Sequence, residues 1–146
     1  MPLITSTPSP VARRRKPKIV VLCGSSRYVE LMAICAWLLE RDEGVIALAL
    51  HLLPWWYGAK PDHLAEEEGV ATQMDTLHLR KIDLADQVFV VNYADYIGQS
   101  TSQEIAYALK RRRPLRWYSH DPIGEKVQRL LMAVTEKTGP ENAPSF

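Results

Sequence analysis

A single carboxylate, Glu104, stands where a parallel α/β protein places its chemistry. It follows the segment Gln87 to Val91, uncharged and rich in β-branched and aromatic residues in the manner of a buried strand, and then a polar turn from Asn92 to Thr101. The pattern predicts a helix after that turn, with Glu104 in its first turn. That is a shelf at the carboxyl end of a strand, where open sheets bind ligands. The spacing also has a structural meaning. Thr101-Ser102-Gln103-Glu104 reads as a capping box, in which Thr101 and Glu104 satisfy backbone N–H groups reciprocally. The two roles are compatible, because the positive end of a helix favours the ionised carboxylate that a nucleophile requires.

A second group lies near the start of the chain. Gly24-Ser25-Ser26-Arg27 joins a conformationally free residue, two hydroxyls and a guanidinium at a helix start, the parts of a phosphate site. Gly-Ser-Ser is equally an ordinary helix start, and the chain has neither GxGxxG nor a P-loop. Serine-triad chemistry is not supported, since no GxSxG elbow occurs. His51, His63, His78 and His120 show no HxH or HExxH spacing, and Cys23 and Cys35 fit neither a CxxC site nor a disulfide framework. No metal or cofactor is expected on these grounds.

Both groups need a frame. Ile19 to Cys23 is a continuous apolar run, as in a strand covered on both faces, and a helix to about Asp42 follows, with Gly44 as its C-terminal cap. Val45 to Leu50 reads as a second strand. The Pro- and Trp-rich segment from His51 to His63 reads as a loop, and Asp62 as the cap of a helix beginning at Leu64. Gly69 interrupts that helix before a second run, Ala71 to Leu84. After the Glu104 helix come a short strand, Leu115 to Tyr118, and an amphipathic helix from about Gly124 to Lys137. The alternation predicts an α/β fold, a flavodoxin/Rossmann-like open parallel sheet of four to five strands with helices on both faces, in the order 2-1-3-4. The Gly24–Arg27 and Asn92–Thr101 loops then face one crevice.

The 146 residues suit one domain, 17–138, between a basic arm at 1–16 and a flexible tail at 139–146. Net charge is +1, so the molecule as a whole is not built to bind a polyanion, and the run Lys110 to Arg113 reads as a solvated helix end rather than a nucleic-acid patch. No apolar run reaches membrane-span length and no signal peptide is evident, which leads to the expectation of a cytoplasmic protein without membrane partners. Adjacent Trp55 and Trp56 in a Pro/Gly-bounded loop predict a homo-oligomer, a dimer, with that loop at the contact or over the crevice. The alternative is that both rings fold back onto their own core.

The segments VLCGSSR, LHLRKIDLADQVFVVN and YIGQSTSQEIAYAL together resemble the nucleoside 2-deoxyribosyltransferase-like superfamily, which includes nucleoside-monophosphate N-glycosidases, over about residues 18 to 119. The resemblance implies a flavodoxin-like fold and a glutamate nucleophile that attacks the anomeric carbon of a nucleoside or nucleotide, matched by Glu104. It also implies a sugar- or phosphate-holding loop at Gly24, Ser25, Ser26 and Arg27, with Asn92, Tyr96, Gly98, Ser100 and Thr101 lining the other side. The family's helper aspartate, eight residues before Asp86, is His78 here, and the acidic or hydroxyl residue six before the glutamate is Gly98. His78 is a possible proton donor near neutral pH, and Asp75 or Asp83 a possible substitute. Those departures keep a second hypothesis open, a nucleotide-binding or sensing domain of the same fold without turnover. A third is a module that binds phosphate or nucleic acid through its basic runs.

Overall fold

The computed structural model describes residues 15–58 and 63–146. The basic arm, except for residues 15 and 16, and the expected cap Asp62 lie outside them. Four parallel strands, β1 (Ile19–Gly24), β2 (Ile46–Leu48), β3 (Gln87–Val91) and β4 (Leu115–Trp117), form one sheet in the order β2-β1-β3-β4. The helices are α1 (Val29–Glu43), α2 (Leu64–Glu67), α3 (Ala71–Leu84), α4 (Gln99–Lys110) and α5 (Pro122–Thr138). This is the open α/β sheet of Rossmann and flavodoxin-like proteins, with β1 and β3 adjacent at the point where the strand order reverses.

Side-chain alternation divides the core into two layers. Val20, Leu22, Phe89 and Val91 pack with Leu31, Met32 and Leu38 of α1 and Val127 of α5. Their neighbours Val21, Cys23, Val88 and Val90 point the other way, against Ile82 of α3 and Ala108 of α4. Cys23 therefore lies under the pair of helices that carries His78 and Glu104.

Several boundaries depart from the sequence pattern for identifiable reasons. The second strand is short, Ile46–Leu48 rather than Val45 to Leu50, because it pairs only with the first three residues of β1. The last helix begins at Pro122, two residues before Gly124. Asp121 caps it by accepting from the Ile123 N–H at 3.0 Å, and proline occupies the first helical position, where no N–H is needed. Gly44 does cap α1, in the left-handed conformation at φ 67°.

Arg113, in the basic run expected to be a solvated helix end, instead donates to the Ile82 carbonyl at 3.3 Å and the Asp83 carbonyl at 2.9 Å. The run thus caps the neighbouring helix α3. Beyond α5 the chain makes a 3-10 turn, Pro140–Asn142, and Phe146 returns to pack edge-on against Tyr93, ring centroids 5.6 Å apart. Trp55 and Trp56 are 88% and 68% exposed, so they do not fold back onto the core. Among the described residues, no helix is long and apolar enough to cross a membrane.

Candidate functional site

Glu104 is not part of a capping box. Helix α4 starts at Gln99 with Gly98 as its N-cap and no side-chain cap bond, which makes Thr101 the third helical residue and places Glu104 in the second turn. The helix begins three residues earlier than Thr101 as a cap would place it, with Gly98 as the N-cap. Glu104 accordingly lies beyond the first turn, where the dipole acts most strongly. Burial pushes its carboxyl up to about 7, the Cys23 thiol partly offsets this, and the charge of Asp75 adds to it. The expectation that the helix end keeps this carboxylate ionised is therefore reversed, because desolvation dominates.

Three elements bring their side chains together at this point. Cys23 near the end of β1, His78 in the middle of α3 and Glu104 on α4 place a sulfur, an imidazole nitrogen and a carboxylate oxygen within 4.8 Å of one another. Cys23 Sγ is 3.4 Å from His78 Nε2, and His78 Nε2 is 3.7 Å from Glu104 Oε1. The Cys23 and His78 side chains are buried, and the Glu104 side chain is 12% exposed. His78 Nδ1 and Glu104 Oε1 are buried without a hydrogen-bond partner.

Burial holds the imidazole neutral, lowering its pKa to about 4, and the Lys81 charge acts in the same direction while the Leu22 backbone opposes both. Burial, reinforced by the Glu104 carboxylate, raises the Cys23 thiol well above its ordinary value. A histidine so placed carries no surplus proton at neutral pH. The expected role of His78 as a proton donor therefore gives way to that of a neutral partner beside Glu104.

Cys23 was missed in the sequence because its partners are 55 and 81 positions away and no spacing rule connects them. Strand parity offered a partial signal, since Cys23 shares a face with Val21. Asp75 sits on the exposed part of α3 and reaches Glu104 only through its charge. Asp83 is committed elsewhere, accepting from the Tyr107 hydroxyl at 2.7 Å and from Arg111 Nε at 2.9 Å, which ties α3 to α4.

The two loops at the carboxyl edge do meet. The Arg27 guanidinium stacks over the Tyr96 ring at 4.5 Å from its centroid, linking the loop after β1 to the loop after β3. Between β1 and α1 lies a 3-10 turn, Ser26–Tyr28, and Ser25 Oγ accepts weakly from the Arg27 N–H at 3.3 Å. Gly24 fits because a Cβ there would approach Val91 to 3.2 Å and Met32 Sδ to 3.3 Å. After β3, Ala94 and Asp95 both take positive φ, 52° and 58°, a conformation that costs a residue bearing a Cβ and that clusters at binding sites.

Not every predicted residue joins the crevice. Asn92 donates to Ser119 Oγ at 2.9 Å and accepts from the Ser119 N–H at 3.1 Å, so its amide fastens the ends of β3 and β4 together. Thr101 is buried, whereas Ser100 is exposed and Gly98 half-buried. A cavity of about 360 Å³ at the carboxyl edge is lined by Asn92, Asp95, Tyr118, Ser119, Glu125 and Gln128 among others, on the α5 side of the sheet. A larger one, about 430 Å³, lies at the amino ends of the strands around Lys18, Gln87 and Arg116. Open α/β sheets bind at the other edge, and Arg116 is already engaged there by Glu43 at 2.8 Å and Asp121 at 2.8 Å. Compared with family models, with curated proteins and with solved structures, the chain has no significant match.

Proposed function

We propose that the protein cleaves or exchanges the N-glycosidic bond of a nucleoside or nucleoside monophosphate, with Glu104 as nucleophile. The observation that carries this is the approach of Glu104 Oε1 to 3.7 Å from His78 Nε2, since a buried carboxylate beside a neutral imidazole is an unusual and chemically poised arrangement. The likeness of the motifs to the deoxyribosyltransferase-like superfamily supports the same reading. In its ionised form Glu104 attacks the anomeric carbon, the C–N bond breaks, and the base leaves with the electron pair and takes a proton from solvent. Water or a second base then resolves the glycosyl ester and restores the carboxylate. His78 orients Glu104, Arg27 and the Ser25 hydroxyl receive the 5′ end of the substrate, and Tyr96 borders the sugar. A homodimer completes the site from the rim that carries Trp55 and Trp56.

The test is release of free base from a panel of nucleosides and monophosphates, followed by chromatography. Wild-type release, reduced about 100-fold or more in Glu104→Gln, is the expected outcome. Equal release from Glu104→Gln removes the nucleophile.

The second reading is a nucleotide-binding domain without turnover. It is favoured by the slight exposure of Glu104 and by the 360 Å³ cavity on the other side of β3, which lies within the usual size range for ligand sites. Tight nucleotide binding with no base released from any substrate would place it first.

A further inference from the structure

We infer that Cys23, His78 and Glu104 form a binding site for a divalent cation of the zinc class. Three protein ligands from three different elements converge there, and their donor types, thiolate, imidazole and carboxylate, are the set that zinc accepts. The distances fit. A tetrahedral zinc with Zn–S of about 2.3 Å and Zn–N of about 2.0–2.1 Å separates sulfur from nitrogen by about 3.6 Å, and nitrogen from oxygen by about 3.4 Å. The corresponding separations are 3.4 Å for Cys23 Sγ to His78 Nε2 and 3.7 Å for His78 Nε2 to Glu104 Oε1. The third pair, Cys23 Sγ and Glu104 Oε1, lies within 4.8 Å, so one ion held between the three atoms requires rotation of the side chains toward it.

An independent observation points to a missing partner. Glu104 Oε1 is buried with no partner in ordinary hydrogen-bond geometry, the Cys23 thiol being the one group that acts on this carboxyl as a weak donor, although a buried carboxylate oxygen ordinarily has a well-formed bond. It faces His78 Nε2 at a distance too long for a hydrogen bond and suited to a shared cation. Charge also balances, because a thiolate and a carboxylate neutralise a dication in a site where net charge would be costly. The sulfur ligand selects zinc, cobalt or related ions over magnesium and calcium, which prefer oxygen. Access is from the Glu104 side, since that is the one ligand with appreciable exposure. The cation displaces the thiol proton to solvent as it enters.

The site does not rest on the glycosidase reading, but it has a consequence for it. A carboxylate ligated to a dication is a poor nucleophile, so the same three residues would make base release sensitive to zinc.

The test uses untagged full-length protein without substrate. Cobalt(II) is titrated in as a spectroscopic substitute, and zinc affinity is measured by competition with a chromophoric chelator. The expected result is one cobalt per chain with a thiolate-to-cobalt charge-transfer band and the visible bands of a tetrahedral ion, displaced by zinc and unaffected by excess magnesium. Cys23→Ser should abolish the charge-transfer band, and Cys23→Ser and Glu104→Gln should each weaken zinc by more than the roughly 100-fold that losing an outer partner can cause. Cys35→Ala, which alters the buried cysteine on the opposite face of the sheet, should change neither. Circular dichroism of each metal-free variant establishes that it folds. A wild type lacking the charge-transfer band, or zinc affinity equal in the wild type and a folded Cys23→Ser, overturns the proposal. Absence of base release in chelator, by contrast, bears only on the glycosidase reading.

Discussion

At the scale of single residues, burial favours the neutral forms of both Glu104 and His78, and this gives their ionisations opposite effects on stability. Glu104 titrates at about 7 in the fold and lower when unfolded, so its contribution is fully present below the unfolded pKa and is lost as pH rises toward 7. His78 titrates at about 4 in the fold and higher when unfolded, so its contribution is present above the unfolded pKa and is lost as pH falls toward 4. The two slopes oppose each other across mildly acidic pH. Glu104→Gln removes the first alone, so its stability advantage over wild type, measured by urea unfolding in chelator, should grow from about pH 4.5 to about 7 and reach roughly 2–3 kcal/mol. A difference independent of pH would mean that the carboxylate is not desolvated. Arg27 offers a separate test: if its guanidinium receives a phosphate, Arg27→Ala should weaken monophosphates by about 10- to 150-fold and spare nucleosides, a loss of about 1.5–3 kcal/mol. Equal wild-type affinity for both ligand classes rejects that role. Of the site, Glu104 and Arg27 were legible because they follow recognisable loops at the ends of strands, and His78 only through its place in the family resemblance, since it lies in the middle of α3. Cys23 was not, since only tertiary packing says which helices a strand face meets.

At the scale of elements, period-2 and period-3.6 patterns located β3 and α3 without error, because a buried strand and a helix bounded by Gly69 have sharp ends in sequence. The errors arose where a cap was misread. Thr101 and Glu104 matched a capping box that the fold does not use, while Asp121-Pro122, a good cap followed by a good first residue, was passed over in favour of Gly124. Gly124 has a different purpose. A Cβ there would lie 1.9 Å from the Tyr118 carbonyl oxygen and 2.9 Å from its carbon, so the glycine lets α5 sit directly on the turn after β4. Backbone atoms cannot swing aside as a flexible side chain does. Gly124→Ala should therefore cost about 2–3 kcal/mol and lower Tm by roughly 5–10 °C, measured by calorimetry. An unchanged Tm would show that the turn yields freely. Two further links hold the site helices together: Arg113 caps α3 from beyond α4, and Tyr107 on α4 bonds Asp83 on α3. The His78 and Glu104 backbones are thereby fixed relative to each other even though the two side chains share no hydrogen bond.

At the scale of the whole molecule, an all-parallel sheet puts the loops that follow every strand on one edge. The loop after β2 therefore rises on the same rim as Gly24–Arg27 and the turn after β3, and it carries Leu52, Trp55 and Trp56 at 53%, 88% and 68% exposure. One end is anchored, since the Tyr57 hydroxyl donates to Glu68 Oε2 at 3.1 Å. Two bare indoles are costly in water unless something covers them. A second copy of the chain is the occupant that the proposed function calls for, and burying both rings would supply the aromatic centre that interfaces favour. Light scattering of the wild type should give a dimer that dissociates on dilution, and Trp55→Ser with Trp56→Ser should give a monomer of unchanged Tm, because neither ring supports the core. If completion of the site requires the partner, the double variant should also lose nucleotide affinity about tenfold or more, a change of roughly 1.4 kcal/mol. A wild type that stays monomeric at high concentration would remove the dimer. Quenching of tryptophan fluorescence by nucleotide in that monomer would then assign the loop to covering the crevice of its own chain.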